Sequence, residues 1–193
     1  MASLKDFMIS RVRVKLFKIF FSNPKEMYYV RQLTRKAGEE INAVRRELKR
    51  LDKKGILKSE ARGNRLYYYC NPQYDFYHDL TNLVIKTTDL GGEIRSRRAK
   101  LGKVKFVMFS GKFVHQLKRD QNEVDILIVG DIVMPELAAI VRKAEAERSN
   151  EINYTVMSKD EFQFRKERRD PFLLSILSQS RIMVVGSEED LVN

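Results

Sequence analysis

Apolar side chains in the first third of the chain recur every three or four positions, the spacing of amphipathic helices. This pattern predicts a helix over 9–21, a short helix over 30–37 that ends at Gly38, and a third over 40–54 that ends at Gly55. The predicted buried stripe of the third helix is Ile41, Val44, Leu48 and Leu51.

The pattern then changes to short β-favouring runs. Strands are predicted over 56–60 and 65–70, joined by a turn at 61–64. The second run contains three consecutive tyrosines, which we expect to pack into the core and along the hairpin. A helical pattern over 74–101 follows, with a break expected at Gly91-Gly92.

Strands and helices alternate in the remaining sequence. The predicted strands cover 105–109, 124–129, 152–157 and 182–185. The predicted helices cover 113–119, 134–148, 159–168 and 172–178. The predicted fold class is therefore α+β, with a first domain over 1–72, a helical connector over 73–102 and a second domain over 103–193.

Charge is distributed very unevenly along the 193 residues, whose net charge is +11. Residues 1–100 hold 23 basic and 11 acidic side chains, whereas residues 101–193 hold 14 and 15. This asymmetry indicates a polyanion-binding module followed by a module with a different task. The alternative is a solvated surface that is basic without binding a polyanion.

Composition excludes several other classes of protein. The single cysteine, Cys70, cannot form a disulfide framework or a thiolate zinc site within one chain. No apolar run reaches the roughly 18–20 residues that a membrane helix needs, and the N-terminal sequence has no secretory signal. We therefore expect a cytoplasmic protein that does not contact a membrane.

The order of helix, short helix, turn, basic helix and hairpin is that of a winged helix-turn-helix, in which the basic helix enters the major groove. Asn42, Arg45 and Arg46 are the predicted base contacts, because Asn reads adenine and Arg reads guanine. The predicted phosphate contacts on the two helices are Arg31, Arg35, Lys36, Lys49 and Arg50. The hairpin adds Arg62, Asn64 and Arg65 as contacts to the backbone or the minor groove.

The stretch that ends in "RGNRLYYYCNP" resembles bacterial winged-helix regulators of the arsenic-repressor (ArsR) class. This resemblance implies a homodimer that binds double-stranded DNA at pseudo-palindromic operators. It also implies a dimer contact through the helices at 9–21 or 74–101. The metal-sensing cysteine pairs of some such regulators are absent here.

The second half resembles minimal DNA polymerase β-like nucleotidyltransferases, in which a Gly-Ser pair precedes an Asp-x-Asp strand that holds two Mg²⁺ ions. Here Ser110-Gly111 inverts the pair, Glu123 stands at the first aspartate and Asp125 matches the second. Asn153 stands near the position of a third carboxylate. The resemblance therefore implies a degenerate catalytic site, and with such a site we expect no cofactor.

The segments "CNPQYDFYHDLTNLVIKTTDL", "DILIVGDI" and "EINYTVMSKDEF" extend the resemblance to bacterial and archaeal fusions of these two domains. We predict a sequence-specific transcriptional regulator with an inactive nucleotidyltransferase-like domain. One alternative is an active nucleotidyltransferase that modifies a protein or nucleic acid, with Mg²⁺ on Glu123 and Asp125 and a nucleoside triphosphate as substrate. Another is an antitoxin-like or adaptor protein whose neutral half binds a protein.

Overall fold

The computed structural model describes residues 8, 10–118, 120, 122–148 and 150–192. Helices and strands are mixed, and the chain divides into two compact units between Val84 and Ile85. This division falls within the connector predicted over 73–102. None of the described helices combines the length and the apolar character that a bilayer-crossing helix requires.

The first unit is a small helical domain with one three-stranded sheet. Its helices are α1 (Arg11–Ser22), α2 (Val30–Ala37), α3 (Ile41–Lys53) and α4 (Tyr77–Thr87), the last of which runs across the division. Its strands are β1 (Tyr28–Tyr29), β2 (Leu57–Arg62) and β3 (Arg65–Cys70). The strands pair antiparallel in the order β1-β3-β2. Ile9, in the predicted first helix, lies outside the described residues.

Aromatic and aliphatic side chains from α1, α3 and the sheet form the core of the first unit. Phe20 of α1 packs edge-to-face on Tyr28, and Val44 and Leu48 of α3 are fully buried against the same cluster. Cys70 is buried at the end of β3, and its Sγ donates to the carbonyl oxygen of Phe20 at 3.4 Å. Burial raises the pKa of this thiol to about 12.

The second unit contains a four-stranded sheet in the order β6-β5-β4-β7. Its strands are β4 (Gly102–Ser110), β5 (Ile126–Ile132), β6 (Tyr154–Met157) and β7 (Arg181–Val185). Strands β5 and β6 are parallel and the other pairs antiparallel. The longer helices are α5 (Asp89–Ser96), α8 (Met134–Arg148), α9 (Lys159–Glu167) and α10 (Pro171–Leu177). The shorter helices are α6 (Arg98–Leu101), α7 (Gly111–Val114) and α11 (Glu188–Val192).

Both faces of this sheet are buried. Along β4, Val107 and Phe109 join one apolar cluster, whereas Phe106 and Met108 join the other. Successive side chains of a strand point to opposite faces, so the near-continuous apolar run of β4 serves two cores at once.

The 74–101 pattern does divide into separate helices, but the predicted position of the break, Gly91-Gly92, is wrong. The helical pattern breaks at Thr88, and both glycines lie inside α5. A Cβ atom at residue 91 would overlap the carbonyl oxygen of Ile85. Glycine is therefore needed at residue 91 for the close approach of α5 to the end of α4, and it does not itself form the bend at Thr88.

The predicted helix over 113–119 is also different in the structure. Helix α7 begins earlier, at Gly111, because the Ser110 hydroxyl caps it by accepting from the Phe113 N–H at 3.2 Å. It ends at Val114, and Gln116 has a φ of +50°, a left-handed conformation that a right-handed helix cannot contain. Arg119, at the end of the predicted helix, lies outside the described residues.

Candidate functional site

Helix α3 begins at a carboxylate cap. Both oxygens of Glu40 accept backbone N–H groups, from Asn42 and from Ala43, each at 2.8 Å. These two hydrogen bonds hold the pKa of Glu40 below its ordinary value. A negative charge therefore lies at the N-terminus of the helix, where it complements the helix dipole.

Burial of one side of α3 determines which of its side chains face solvent. Val44, Leu48 and Leu51 are buried, in agreement with the predicted stripe, and Ile41 is half-buried. Glu47 is buried as well, although sequence reasoning had not assigned it a place.

All the predicted DNA-contacting side chains are exposed. They are Arg31, Arg35, Lys36, Asn42, Arg45, Arg46, Lys49, Arg50, Arg62, Asn64 and Arg65. They belong to α2, α3 and the β2–β3 hairpin. Among these predicted contacts, seven cations form no ion pair with any described residue: Arg31, Arg35, Lys36, Arg45, Arg46, Lys49 and Arg65.

The basic side chains of α1 are in a different situation. Arg13 Nε lies 2.5 Å from Oε1 of the buried Glu47. Glu39 Oε1 lies 2.9 Å from Arg11 Nε and 2.6 Å from Lys15 Nζ. Two carboxylates of the first unit thus engage these three cations, and the ion pairs join α1 to α3 and to the turn before it. Sequence reasoning missed both acidic partners.

The hairpin cations are held by neighbouring side chains. Arg62 donates to both carboxylate oxygens of Glu60, at 3.0 and 3.4 Å, and this ion pair raises the pKa of the guanidinium. Arg65 stacks over the ring of Tyr29 with its guanidinium carbon 4.6 Å from the ring centre. Tyr29 of β1 packs edge-to-face on Tyr67 of β3 with the ring centres 5.6 Å apart, and Tyr68 of β3 is buried in the core.

In the second unit, Ser110 and Gly111 lie where β4 passes into α7. The Ser110 N–H donates to the carbonyl of Asp125 at 2.8 Å, and the Gly111 N–H donates to the carbonyl of Ser180 at 2.6 Å. A Cβ atom at residue 111 would overlap the side chain of Ser180. The close approach that glycine permits here is therefore to another part of the same chain.

Glu123 is engaged by a cation of the chain itself. Lys112 Nζ lies 2.5 Å from Glu123 Oε1, and the Asp120 N–H donates to Oε2 at 3.1 Å. The hydrogen bond to Glu123 raises the pKa of the Lys112 ammonium. Sequence reasoning had found no role for Lys112.

Asp125 and Asn153 are joined to each other. Asp125 is 2% exposed, and its Oδ2 accepts the Asn153 N–H at 2.9 Å. The Asn153 side-chain amide donates to the carbonyl of Glu123 at 2.8 Å. The structure thus brings Ser110, Glu123, Asp125 and Asn153 together through hydrogen bonds that connect the ends of β4, β5 and β6.

This donor set does not fit a two-Mg²⁺ centre. Such a centre needs several carboxylate oxygens directed at the ions. Here the Lys112 ammonium forms an ion pair with the Glu123 carboxylate, and the buried Asp125 carboxylate accepts a backbone N–H. The third position is Asn153, whose side-chain amide donates to a backbone carbonyl. The described residues contain no cluster of three or more His, Cys, Asp or Glu side chains suited to hold a metal ion.

Comparison with models of protein families, with curated proteins and with solved structures finds no match to this chain.

Proposed function

We propose that the protein is a sequence-specific, double-stranded-DNA-binding transcriptional regulator whose first unit acts as a winged helix-turn-helix. The observation that carries this proposal is the separation of the cations into two groups. Arg11, Arg13 and Lys15 of α1 are paired with Glu39 or Glu47. Seven exposed cations of α2, α3 and the hairpin instead form no ion pair with any described residue. Unpaired, exposed cations on consecutive elements are the electrostatic footprint of a phosphate-binding surface.

Within this surface the roles differ by residue type. Asn42, Arg45 and Arg46 carry the planar amide and guanidinium groups that pair with base edges, and they lie in the first half of α3. The cations that position the protein on the phosphates are Arg31, Arg35, Lys36, Lys49, Arg50, Arg62 and Arg65. Asn64 lies in the turn of the hairpin, between Arg62 and Arg65. The resemblance to arsenic-repressor-type regulators adds a homodimer on a pseudo-palindromic operator to this proposal.

The carboxylate cluster of the second unit has a structural role in this proposal. The Lys112–Glu123 ion pair and the Asp125–Asn153 hydrogen bonds connect strand ends, which supports a scaffold without nucleotidyl transfer. The protein then needs neither a metal ion nor a nucleotide for its function.

Fluorescence anisotropy with genomic duplexes at several salt concentrations tests DNA binding. We expect a steep salt dependence, with log K falling by about 0.9 per tenfold change in salt for each phosphate contact. Arg45→Gln with Arg46→Gln should cost about 1–3 kcal/mol per lost base contact on the preferred sequence. Lys53→Gln with Lys54→Gln removes equal charge from the exposed end of the same helix and is the matched control. Binding without salt dependence, or equal losses in the two variants, contradicts the proposal.

A labelled-nucleotide transfer assay with Mg²⁺ and Mn²⁺ tests the role of the second unit. We expect no transfer above that of the Asp125→Ala variant. Transfer by the wild-type chain that this substitution abolishes would instead establish the alternative, an active nucleotidyltransferase.

A further inference from the structure

A second basic surface lies at the start of the second unit, apart from the residues assigned to α2, α3 and the hairpin. Residues 95–105, the basic segment, hold six basic side chains and no acidic one. They are Arg95, Arg97, Arg98, Lys100, Lys103 and Lys105. The other residues of this unit hold 13 basic and 17 acidic side chains, so the segment differs in sign from the unit that carries it.

The basic segment covers the end of α5, all of α6 and the start of β4. Five of its six cations are exposed, and Arg95 is half-buried. Lys103 and Lys105 are exposed on either side of the buried Val104, where the register of β4 against β5 shifts. The lysines of β4 therefore point to solvent, while the strand between them is anchored in the core.

Two guanidinium groups of the segment are held by neutral acceptors and therefore keep their charge. Arg95 donates to the carbonyl of Val184 at 3.1 Å, and Arg98 donates to the carbonyl of Val104 at 2.9 Å. A backbone carbonyl fixes a guanidinium without neutralising it, and the remaining N–H donors of the fork stay available. Arg97 alone has an acidic partner in the described chain, Glu93 at 2.9 Å.

Like charges at this density repel one another, and a polyanion removes that cost by replacing diffuse counterions. We infer that the basic segment is a second phosphate-binding surface, which contacts the backbone of duplex DNA independently of base sequence. This inference rests on the proposed function for the identity of the polyanion. It extends the DNA contact from the first unit to the second, whose overall charge would not predict one.

The test is the salt dependence of DNA binding by the full chain carrying Lys100→Gln, Lys103→Gln and Lys105→Gln. These substitutions leave the hydrogen bonds of Arg95 and Arg98 in place. We expect the slope of log K against log salt to fall in magnitude by roughly 2–3, which is about 0.9 for each lost phosphate contact. The loss should be the same on preferred and unrelated duplexes, because phosphates carry no sequence information.

The matched control removes three exposed cations elsewhere on the same unit, Lys118→Gln, Arg142→Gln and Lys159→Gln. It should leave the slope unchanged. An unchanged slope in the segment variant, or equal reductions in both variants, overturns the inference. In one outcome the wild-type chain binds DNA and Arg45→Gln with Arg46→Gln weakens the binding, but the triple substitution in the basic segment leaves the salt slope unchanged. In that case only this inference fails. If the wild-type chain binds no DNA, the proposed function fails and the inference fails with it.

Discussion

Arg13 of α1 and Glu47 of α3, 34 residues apart in the chain, form an ion pair with 2.5 Å between Nε and Oε1. Glu47 is buried on the inner side of the helix that carries the candidate base contacts. The pair therefore fixes the position of α3 against α1, and it uses a cation that would otherwise be counted as part of the DNA-binding charge.

Removal of this carboxylate should destabilise the first unit. We expect Glu47→Ala to lower the free energy of unfolding by about 2 kcal/mol, because it leaves the partly buried guanidinium of Arg13 without its partner. Seven of the eight tyrosines lie in this unit and the chain has no tryptophan, so tyrosine fluorescence in urea reports its unfolding. Arg50→Ala, which removes an exposed cation 3.9 Å from Glu47, is the control and should change stability by less than about 0.5 kcal/mol. Equal losses of stability in Glu47→Ala and Arg50→Ala would contradict a stabilising role of the Arg13–Glu47 ion pair.

Stability at acidic pH should depend on Glu40. Its pKa is lower in the folded chain than the ordinary value of 4.5, so the unfolded chain takes up the proton first as the pH falls. The stabilisation is present above the unfolded pKa and is lost as the pH falls through the folded pKa. Urea midpoints measured from about pH 6 to pH 3 should therefore fall less steeply for Glu40→Gln than for the wild type. Parallel curves would show that the cap contributes nothing.

Asn42 and Lys49 should differ in what their loss does to DNA binding. We expect Asn42→Ala to lower affinity for the preferred duplex by about 1–3 kcal/mol while leaving binding to unrelated duplexes nearly unchanged. Lys49→Gln should weaken binding to all duplexes alike and reduce the salt slope by about 0.9. Competition anisotropy with a panel of single-base variants measures both effects. A uniform loss in Asn42→Ala would remove it from the base contacts.

Gly111 should tolerate no side chain while Ser180 is present. Gly111→Ala forces a methyl group into the space of that side chain, and we expect a loss of about 1–2 kcal/mol. Ser180→Gly should restore part of the loss in the double variant while having a small effect alone. Circular dichroism in urea gives the three values needed for this cycle. If the losses of the two single variants simply add in the double variant, contact with Ser180 is not the cause of the loss in Gly111→Ala.

Lys112 should determine how the second unit responds to divalent cations. Because its ammonium already compensates Glu123, we expect Mn²⁺ to leave the thermal midpoint of the wild type unchanged. Lys112→Met should lower the midpoint, and Mn²⁺ should restore part of the loss by binding the uncompensated carboxylate. Lys118→Met, which removes an exposed positive charge from the same unit, is the control. A rise in the wild-type midpoint with Mn²⁺ would contradict the assignment of Lys112.

Local patterns in the sequence were sufficient for the buried stripe of α3 and for the outward direction of its cations. Burial follows helical spacing, so Val44, Leu48 and Leu51 could be placed without knowledge of the rest of the chain. Position 47 lies on the same arc, three residues after Val44 and four before Leu51. Spacing alone could have indicated that Glu47 is buried, but not which cation compensates it.

The features that the sequence pattern does not predict depend on contacts outside any helical or strand repeat, or on capping by an unusual residue. Lys112 meets Glu123 across 11 residues, through a turn whose form no periodicity predicts. Glu40 caps a helix although Ser, Thr, Asp and Asn are the preferred caps. The pair Gly91-Gly92 predicts a helix break, whereas close contact with the backbone of Ile85 explains the first of the two glycines.

The buried, protonated thiol of Cys70 makes the chain convenient for site-specific chemistry. Alkylating reagents attack the thiolate, which a pKa of about 12 makes scarce at neutral pH, and burial blocks their access. A cysteine introduced at an exposed position such as Asn64 can therefore carry a fluorophore while the native cysteine is retained. Conversely, slow labelling of Cys70 itself measures how often the first unit opens, without any substitution.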